Sequence, residues 1–270
     1  MLPGEDYRPD ATAWAVLALA LASSGNRDIG VIEIGRDRLA VSQLEDGRVS
    51  ISPSDPGSFW PTSLAILAWQ GSRKHAEQRS RATDFLLRTT GKHWERRENS
   101  PLAHDTSIRG WPWTQDTHSW VEPTSLTILA LRSAGIGAHG RVREGVRMLM
   151  DRQLPSGGWN YGNTLAFGTE LVPQADCTGI ALNALSGQVP QSNVERSVKV
   201  LQAQVARLRT PLSLGWGILG LGAWERRPER ATAWIGECLA RQDRYGAYDT
   251  PLVSLLLLAL EGEQGLGSLF

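Results

Sequence analysis

A glutamine–glycine pattern that recurs along the chain constrains its fold more than any other feature. In each copy three residues separate the glutamine from the glycine, and one residue separates the glycine from a large hydrophobic residue. The copies run from Gln43 to Val49, from Gln153 to Trp159 and from Gln242 to Tyr248. A recurring unit predicts an array of similar structural elements rather than a fold built around one motif.

A second repeat alternates with the first. It consists of a threonine followed by an apolar run, and weaker copies replace the threonine with another residue. The copies begin at Thr12, Thr62, Thr124, Thr178, Leu214 and Val253. Their spacing is too irregular for a strict solenoid, so the pattern favours about six helix pairs with insertions of variable length.

Each unit joins an amphipathic segment to an apolar one. In residues 141–153, Val142 and Leu149 lie at helical spacing with charged residues on the other side, which predicts an outer helix with one buried stripe. Residues 13–22 and 252–260 are apolar on nearly every side, as in helices that neighbours surround. Six inner helices ringed by six outer ones predict an all-α fold, a single α/α toroid or α/α barrel.

Length and hydrophobic content are consistent with one large core. The chain has 270 residues, of which 41% are hydrophobic, and a closed ring of repeats cannot be divided. We therefore expect one domain over residues 1–270. The polar stretch near residues 92–108 is interpreted as an insertion that projects from one face of the ring.

Charge and cysteine usage limit the possible partners. Lys and Arg number 28, as do Asp and Glu, and no basic stripe emerges, so nucleic acid is excluded as a partner. Cys177 and Cys238 lie in different repeats, which favours a reducing cytoplasm over a disulfide framework. No segment has the 18 or so apolar residues of a membrane span. Peripheral contact with a membrane and a partner subunit both stay open.

The pattern at Gln153, Gly157 and Trp159 resembles the repeat of squalene cyclases, the QW motif, and that of protein prenyltransferase β-subunits. The resemblance covers residues 7–260. It implies an α/α toroid, a central apolar cavity and, often, an isoprenoid substrate. The repeat residues themselves are interpreted structurally, with the glutamine bonded to a helix end, the glycine in a turn and the aromatic ring stacked over both.

Acidic residues precede several inner helices. They are Asp10, Glu122, Asp176 and Asp249. Parallel inner helices would gather these residues at one mouth of the ring. Each acid is interpreted either as a helix cap or as a carboxylic acid kept protonated in an apolar pocket, as the protonation of an alkene requires.

Asp176 is the strongest candidate for such an acid. In the class II terpene cyclases that the chain resembles, the proton donor is the central Asp of an Asp-x-Asp-Asp-Thr run. Residues 174–178 keep that Asp and the threonine but replace both flanking acids. Prenyltransferases bind zinc through an Asp-x-Cys and a later histidine, whereas here Asp176 and Cys177 are adjacent and no histidine follows His139. We therefore expect no metal and no cofactor.

The densest chemistry lies in residues 110–124, which lead into an inner helix. This stretch is interpreted either as the wall of a substrate pocket or as a rigid loop held by tryptophans. The predicted catalytic residues are Asp176, His118, Glu122 and Asp116. The predicted substrate-binding residues are Trp60, Trp111, Trp113, Trp120, Tyr161, Phe167 and Cys177.

Two functional hypotheses follow from the sequence. In the first, the chain is a cytoplasmic isoprenoid-processing enzyme, cyclase-like or prenyltransferase-like, that binds a polyprenyl or triterpene-like molecule in the cavity. In the second, it is a non-catalytic toroid that binds a lipid, a peptide or a protein partner. A further possibility is that a second chain completes the active site.

Overall fold

The apolar runs of the sequence form the inner ring of the toroid. In the computed structural model, which describes residues 7–22, 28–96 and 102–269, these are the helices α1 (Pro9–Ala22), α3 (Pro61–Ala68), α5 (Val121–Ser133), α7 (Ala175–Leu185), α9 (Pro211–Gly222) and α12 (Thr250–Glu261). Every residue of α3 is buried, which explains why no position of this helix is charged. Each inner helix contacts the next, and α12 packs back onto α1, so the ring is closed. The predicted α/α toroid is confirmed.

The amphipathic segments form the outer layer. Its helices are α2 (Ile29–Val41), α4 (Ala76–Arg88), α6 (Gly140–Asp151), α8 (Gln191–Val205) and α10 (Ala231–Leu239), followed by the short α11 (Gln242–Tyr245). In α6, Val142 and Leu149 are buried, as their spacing predicted. The described ranges contain five long outer helices rather than six. After α12, a 3₁₀ turn over Leu266–Leu269 packs against α7 instead.

Hydrogen bonds join the two sequence repeats in three successive units. In each unit the hydroxyl of an inner-helix threonine accepts from the backbone N–H and donates to the backbone C=O of one residue before that helix, an arrangement called here the threonine clamp. The pairs are Thr62 with Val49, Thr124 with Trp111, and Thr178 with Trp159. All six residues are buried. The clamp fixes where each inner helix begins.

The residues of the QW motif have structural roles around this clamp. Gln153 Nε2 donates to the Asn193 carbonyl of α8 at 3.1 Å. Gly157 has φ of +99°, and a Cβ atom there would lie 2.8 Å from Arg196 Cγ. Trp159 Nε1 donates at 2.7 Å to the carbonyl of Leu149, in the last turn of α6.

The predicted insertion packs against the loop before α5. The Lys92 amide donates to the Thr117 carbonyl at 2.8 Å, and the Trp94 amide donates to the Thr106 carbonyl at 3.1 Å. Residues 97–101 of the insertion lie outside the described residues. A hairpin of β1 (Leu165–Ala166) and β2 (Thr169–Glu170) precedes α7, and Leu102 forms a bridge with its Ala166. The insertion and the hairpin therefore lie side by side at the mouth of the ring.

None of the helices within residues 7–22, 28–96 and 102–269 has the length and the apolar character that crossing a bilayer requires.

Candidate active site

Two of the four acids predicted at the mouth have structural partners. Asp249 is exposed and caps α12, because its Oδ1 accepts from the Leu252 amide at 3.1 Å. Asp10 is buried and accepts from Arg8 Nε at 2.8 Å and Nη2 at 2.6 Å. These two carboxylates are therefore held as a helix cap and an ion pair.

Glu122 and Asp176 have no such partners. They lie in the first turns of α5 and α7, which contact each other. Within the described ranges, neither carboxylate accepts a hydrogen bond or faces a cation within ion-pair distance, and neither helix has a side-chain cap. Both residues are partly buried, and carboxylates removed from water are normally paired, so two unpaired ones together are a feature of functional sites.

The surroundings of Glu122 keep its carboxyl protonated. Burial raises the pKa of Glu122 to about 8, and the charge of Asp176 raises it in the same direction. At neutral pH this group therefore carries a proton that it can donate. A general acid works best when its pKa lies near the operating pH.

Tyr161 and Cys177 belong to the same electrostatic group. The charge of Asp176, followed by burial, raises the pKa of the Tyr161 phenol. Burial, followed by Asp176 and Glu122, raises the pKa of the buried Cys177 thiol far above its usual range. The thiol stays protonated and is a poor nucleophile. In the part of the chain that the structure describes, no three His, Cys, Asp or Glu side chains cluster as metal ligands would.

The described residues that line a cavity of about 290 Å³ include Trp120, Tyr161 and Gln174 but neither Glu122 nor Asp176. Trp120 and Gln174 are the residues immediately before α5 and α7. The Tyr161 carbonyl accepts from the Val121 amide at 3.0 Å, which fixes this loop to the start of α5. The cavity thus has an aromatic wall at the entrance to the inner ring.

His118 lines a second cavity, of about 170 Å³, under the insertion. Its ring packs edge-on against Trp94 at 5.0 Å between centroids and lies 6.4 Å from Trp120. Trp120 belongs to both cavities. The predicted catalytic set is therefore spread over two neighbouring sites, with Glu122 and Asp176 at one and His118 at the other.

The remaining predicted residues are more dispersed. Asp116 is exposed, has φ of +63° and lies 4.0 Å from Lys92 Nζ. Trp60 and Trp113 pack edge-to-face at 5.3 Å and are both partly buried. Phe167 is 97% exposed and forms the tip of the β1–β2 hairpin.

Trp111 has the same structural role as Trp159. Its Nε1 donates to the Leu86 carbonyl in the last turn of α4 at 2.8 Å, and its backbone is held by Thr124. The ring is 1% exposed and stacks under the Arg141 guanidinium at 4.3 Å. Sequence reasoning missed this copy of the motif because Asp105 and Arg109 stand where the motif has its glutamine and its glycine.

Sequence reasoning did not identify three residues of the second cavity. They are Trp94, His104 and Arg152. Arg152 directly follows α6 and is 5% exposed, and His104 is 6% exposed. The only signal in the sequence was the presence of aromatic and titratable residues within a long insertion.

Known structures support the terpene cyclase resemblance at the level of the fold. No protein-family model matches the chain, and no curated protein matches it. The chain is similar to a type II terpene cyclase from Scytonema in complex with geranylgeranyl dihydroxybenzoate, with a TM-score of 0.65, 10% identity, and coverage of 97% of this chain and 88% of the other. The chain has a terpene cyclase-like fold.

Two further structures with this fold agree. A protein from Actinoplanes has a TM-score of 0.64 and 13% identity, and the match covers 96% of this chain and 92% of that one. The ent-copalyl diphosphate synthase from Streptomyces platensis has a TM-score of 0.60 and 17% identity over 94% of this chain. The terpene cyclase-like chain spans 50% of that synthase.

Proposed function

We propose that the protein is an isoprenoid-processing enzyme in which Glu122 donates a proton to its substrate. The observation that carries this proposal is the unpaired Glu122–Asp176 couple, in which Glu122 holds its proton at neutral pH. The resemblance in sequence favours Asp176 as the donor. Burial, followed by the charge of Asp176, keeps Glu122 protonated at neutral pH, so Glu122 is the member of the couple that we assign as the donor.

The proposed step moves the carboxyl proton of Glu122 to one carbon of an alkene. The second alkene carbon becomes a carbocation, and Glu122 becomes a carboxylate. The negative charges of Glu122 and Asp176 then stabilise the cation, as do the faces of Trp120 and Tyr161 if they turn toward it. Ring closure moves the cation along the chain, and transfer of a proton from a neighbouring carbon to the Glu122 carboxylate ends the reaction and restores the acid.

A prenylated small molecule is the proposed substrate class. One structure with this fold contains geranylgeranyl dihydroxybenzoate, and the cavity at the start of α5 has Trp120 and Tyr161 in its wall. At about 290 Å³ that cavity is at the lower end of the range for small-molecule sites, so it suits one end of a prenyl chain. We expect the rest of the chain to enter between the apolar inner helices.

Conversion in heavy water tests the proposed step. The protein is incubated in D₂O with geranylgeranyl dihydroxybenzoate, geranylgeranyl diphosphate or squalene, and the extract is analysed by mass spectrometry. We expect a cyclised product with one deuterium on carbon. Glu122→Gln should abolish it, whereas the matched control Asp249→Asn, which alters an acid that only caps a helix, should retain it. Equal turnover by wild type and Glu122→Gln would rule out Glu122 as the donor.

A non-catalytic toroid is the second candidate function. The replacement of both flanking acids of the cyclase motif, by Gln174 and Cys177, favours it. In that case the prenyl compounds would be retained without conversion in native mass spectra, and Glu122→Gln would bind them as well as wild type does. If none of the prenyl compounds binds, a protein or a peptide becomes the candidate ligand of this toroid.

The cellular setting is also a proposal. Both cysteines are free and buried, which suits a reducing cytoplasm. Phe167 and Val172 are 97% and 69% exposed beside the mouth, where a membrane surface or a partner subunit would cover them. Vesicle co-sedimentation of the wild type and of Phe167→Ser tests the membrane contact.

A further inference from the structure

The cavity under the insertion has the dimensions of a ligand site. Its volume is about 170 Å³, and a protein cavity of about 150 Å³ can hold a benzene molecule. Trp94 and Trp120 contribute flat walls, and the ring of His118 packs against both. The cavity is therefore large enough for one planar ring with a small substituent.

Two buried side chains in its wall have polar atoms without partners. Arg152 is 5% exposed and His104 is 6% exposed. In the described part of the chain, neither Arg152 Nε nor His104 Nδ1 has a hydrogen-bond partner. An unsatisfied buried polar group costs about 1–3 kcal/mol, so a ligand whose polar group reaches either atom would remove that cost.

The charge of the wall indicates the sign of that occupant. The described residues that line the cavity include Lys92 and Arg152 but no carboxylate. Arg152 Nη1 is 3.0 Å from Asp151 Oδ2, and the same oxygen accepts from the Asp105 amide at 3.0 Å. Lys92 has only a distant partner, the exposed Asp116. The side of the wall that faces the cavity therefore carries positive charge.

The titration of these groups is consistent with that charge. Burial, Arg152 and His118 lower the pKa of His104 to about 4, and Arg96 acts in the same direction, whereas Asp105 opposes it. Burial lowers the pKa of Arg152 to about 10, which Asp151 and Asp105 oppose. An anion in the cavity would raise the pKa of His104 and that of Arg152, as the nearby carboxylates do.

We propose that this cavity binds a single-ring aromatic oxyanion, with its ring against the aromatic wall of Trp94, His118 and Trp120 and its carboxylate or phosphate group on Arg152 and His104. Arg152 lines the cavity, and a guanidinium suits the oxygens of either anion. The ring packs against Trp94 and Trp120 in place of water. This inference does not depend on Glu122 or on an isoprenoid substrate.

Calorimetric titration of the full chain tests the site with benzoate, phenyl phosphate, inorganic phosphate and benzamide. Benzamide is the neutral counterpart of benzoate in shape. We expect benzoate or phenyl phosphate to bind at least tenfold more tightly than benzamide and inorganic phosphate, and the stronger of the two identifies the anionic group. Failure of both aromatic anions to bind, or equal binding of benzamide, would overturn the proposal.

Variants of two arginines locate the bound anion. Arg152→Gln should weaken binding at least tenfold, whereas Arg147→Gln, which removes the same charge from an exposed position on α6, should leave it unchanged. Unchanged binding by Arg152→Gln would overturn the proposal. If Arg152→Gln does not fold, the pKa of His104 in the wild type decides, since NMR titration should show it rising when the anion is bound. Glu122→Gln should bind the anion normally, which separates this site from the proposed catalytic one.

Discussion

Glu122 and Asp176 occupy the same position in two successive repeats, each two residues before the threonine that clamps its inner helix. Their helices, α5 and α7, are neighbours in the ring. Equivalent positions on adjacent parallel helices lie close together, so the repeat itself brings the two carboxylates within electrostatic reach. The pairing is thus a consequence of the fold. The pKa of Glu122 is raised because, among the described residues, no cation or hydrogen-bond donor offsets its burial and the charge of Asp176.

Glu122→Gln should make the protein more stable at alkaline pH. The pKa of Glu122 is raised from 4.5 in the unfolded chain to about 8 in the folded one, so folded wild type binds one more proton between these values. Its stability then falls as pH rises through that window, by at most about 1.4 kcal/mol per pH unit. Glutamine removes this penalty, and the gain should reach a few kcal/mol by pH 8.

Urea denaturation of wild type and Glu122→Gln at pH 4.5 and at pH 8 measures this effect. The two proteins should be nearly equal at the lower pH and should diverge at the higher one. Asp249→Asn is the control, and its small cap effect should show no such divergence. A difference between wild type and Glu122→Gln that does not change with pH would contradict the raised pKa.

Asp176→Asn should move the pKa of Glu122 downward, because it removes the charge that raises it. If Glu122 is the acid, the alkaline limb of the pH–activity profile should shift to lower pH. If Asp176 only stabilises the helix end, the substitution should cost at most about 1 kcal/mol of unfolding free energy and leave the profile in place. Activity measured from pH 5 to pH 9, with stability followed in parallel, distinguishes the two roles.

Thr178→Val should destabilise the fold. The Trp159 amide donates to Thr178 Oγ1 at 2.9 Å, and that hydroxyl donates to the Trp159 carbonyl at 3.1 Å. Valine keeps the shape but leaves the Trp159 amide buried without this partner, at a cost of about 1–3 kcal/mol, whereas the Trp159 carbonyl still accepts from the Gln174 amide at 2.8 Å. Thr12→Val is the control, since the Thr12 hydroxyl is only partly buried and donates to the carbonyl of Arg8, just before α1, at 3.3 Å. Chemical denaturation should show a clearly smaller loss for the control.

The clamp explains how much of the fold could be predicted from the sequence. The threonine of one repeat bonds to the residue that ends the other, so both must recur together for the ring to form. Trp111 shows the limit of this argument, because its backbone and indole bonds match those of Trp159 without the glutamine of the motif. A hydrogen bond made by the backbone requires no particular side chain there, and so it leaves little trace in the sequence.

The site was less predictable because it depends on where the chain changes direction. His118 and Glu122 are four residues apart, yet the extended residue Trp120 separates them, with φ of −120° and ψ of 158°. His118 therefore faces the insertion, whereas Glu122 lies in the first turn of α5. His104 and Arg152 meet only because the insertion folds back over the end of α6, and such long-range loop contacts have no periodicity to detect.

Gly179→Ala should be strongly destabilising, because α7 and α9 approach each other through glycines. A Cβ atom on Gly179 would lie 2.2 Å from the Trp216 carbonyl oxygen, and one on Gly220 would lie 2.6 Å from the Gly179 Cα. Both obstacles are backbone atoms, so the helices must separate to admit a methyl group. We expect a loss of about 1–3 kcal/mol or more in unfolding free energy.

Gly236→Ala is the matched control for this substitution. Gly236 lies within the helix α10, and a Cβ atom there would have no neighbour within 4 Å. Alanine at that site should raise stability by about 0.5–1 kcal/mol, because it reduces the backbone entropy of the unfolded chain. Thermal and urea denaturation of both variants should therefore give effects of opposite sign. Equal effects on stability would mean that the close contact between α7 and α9 does not exclude a methyl group at Gly179.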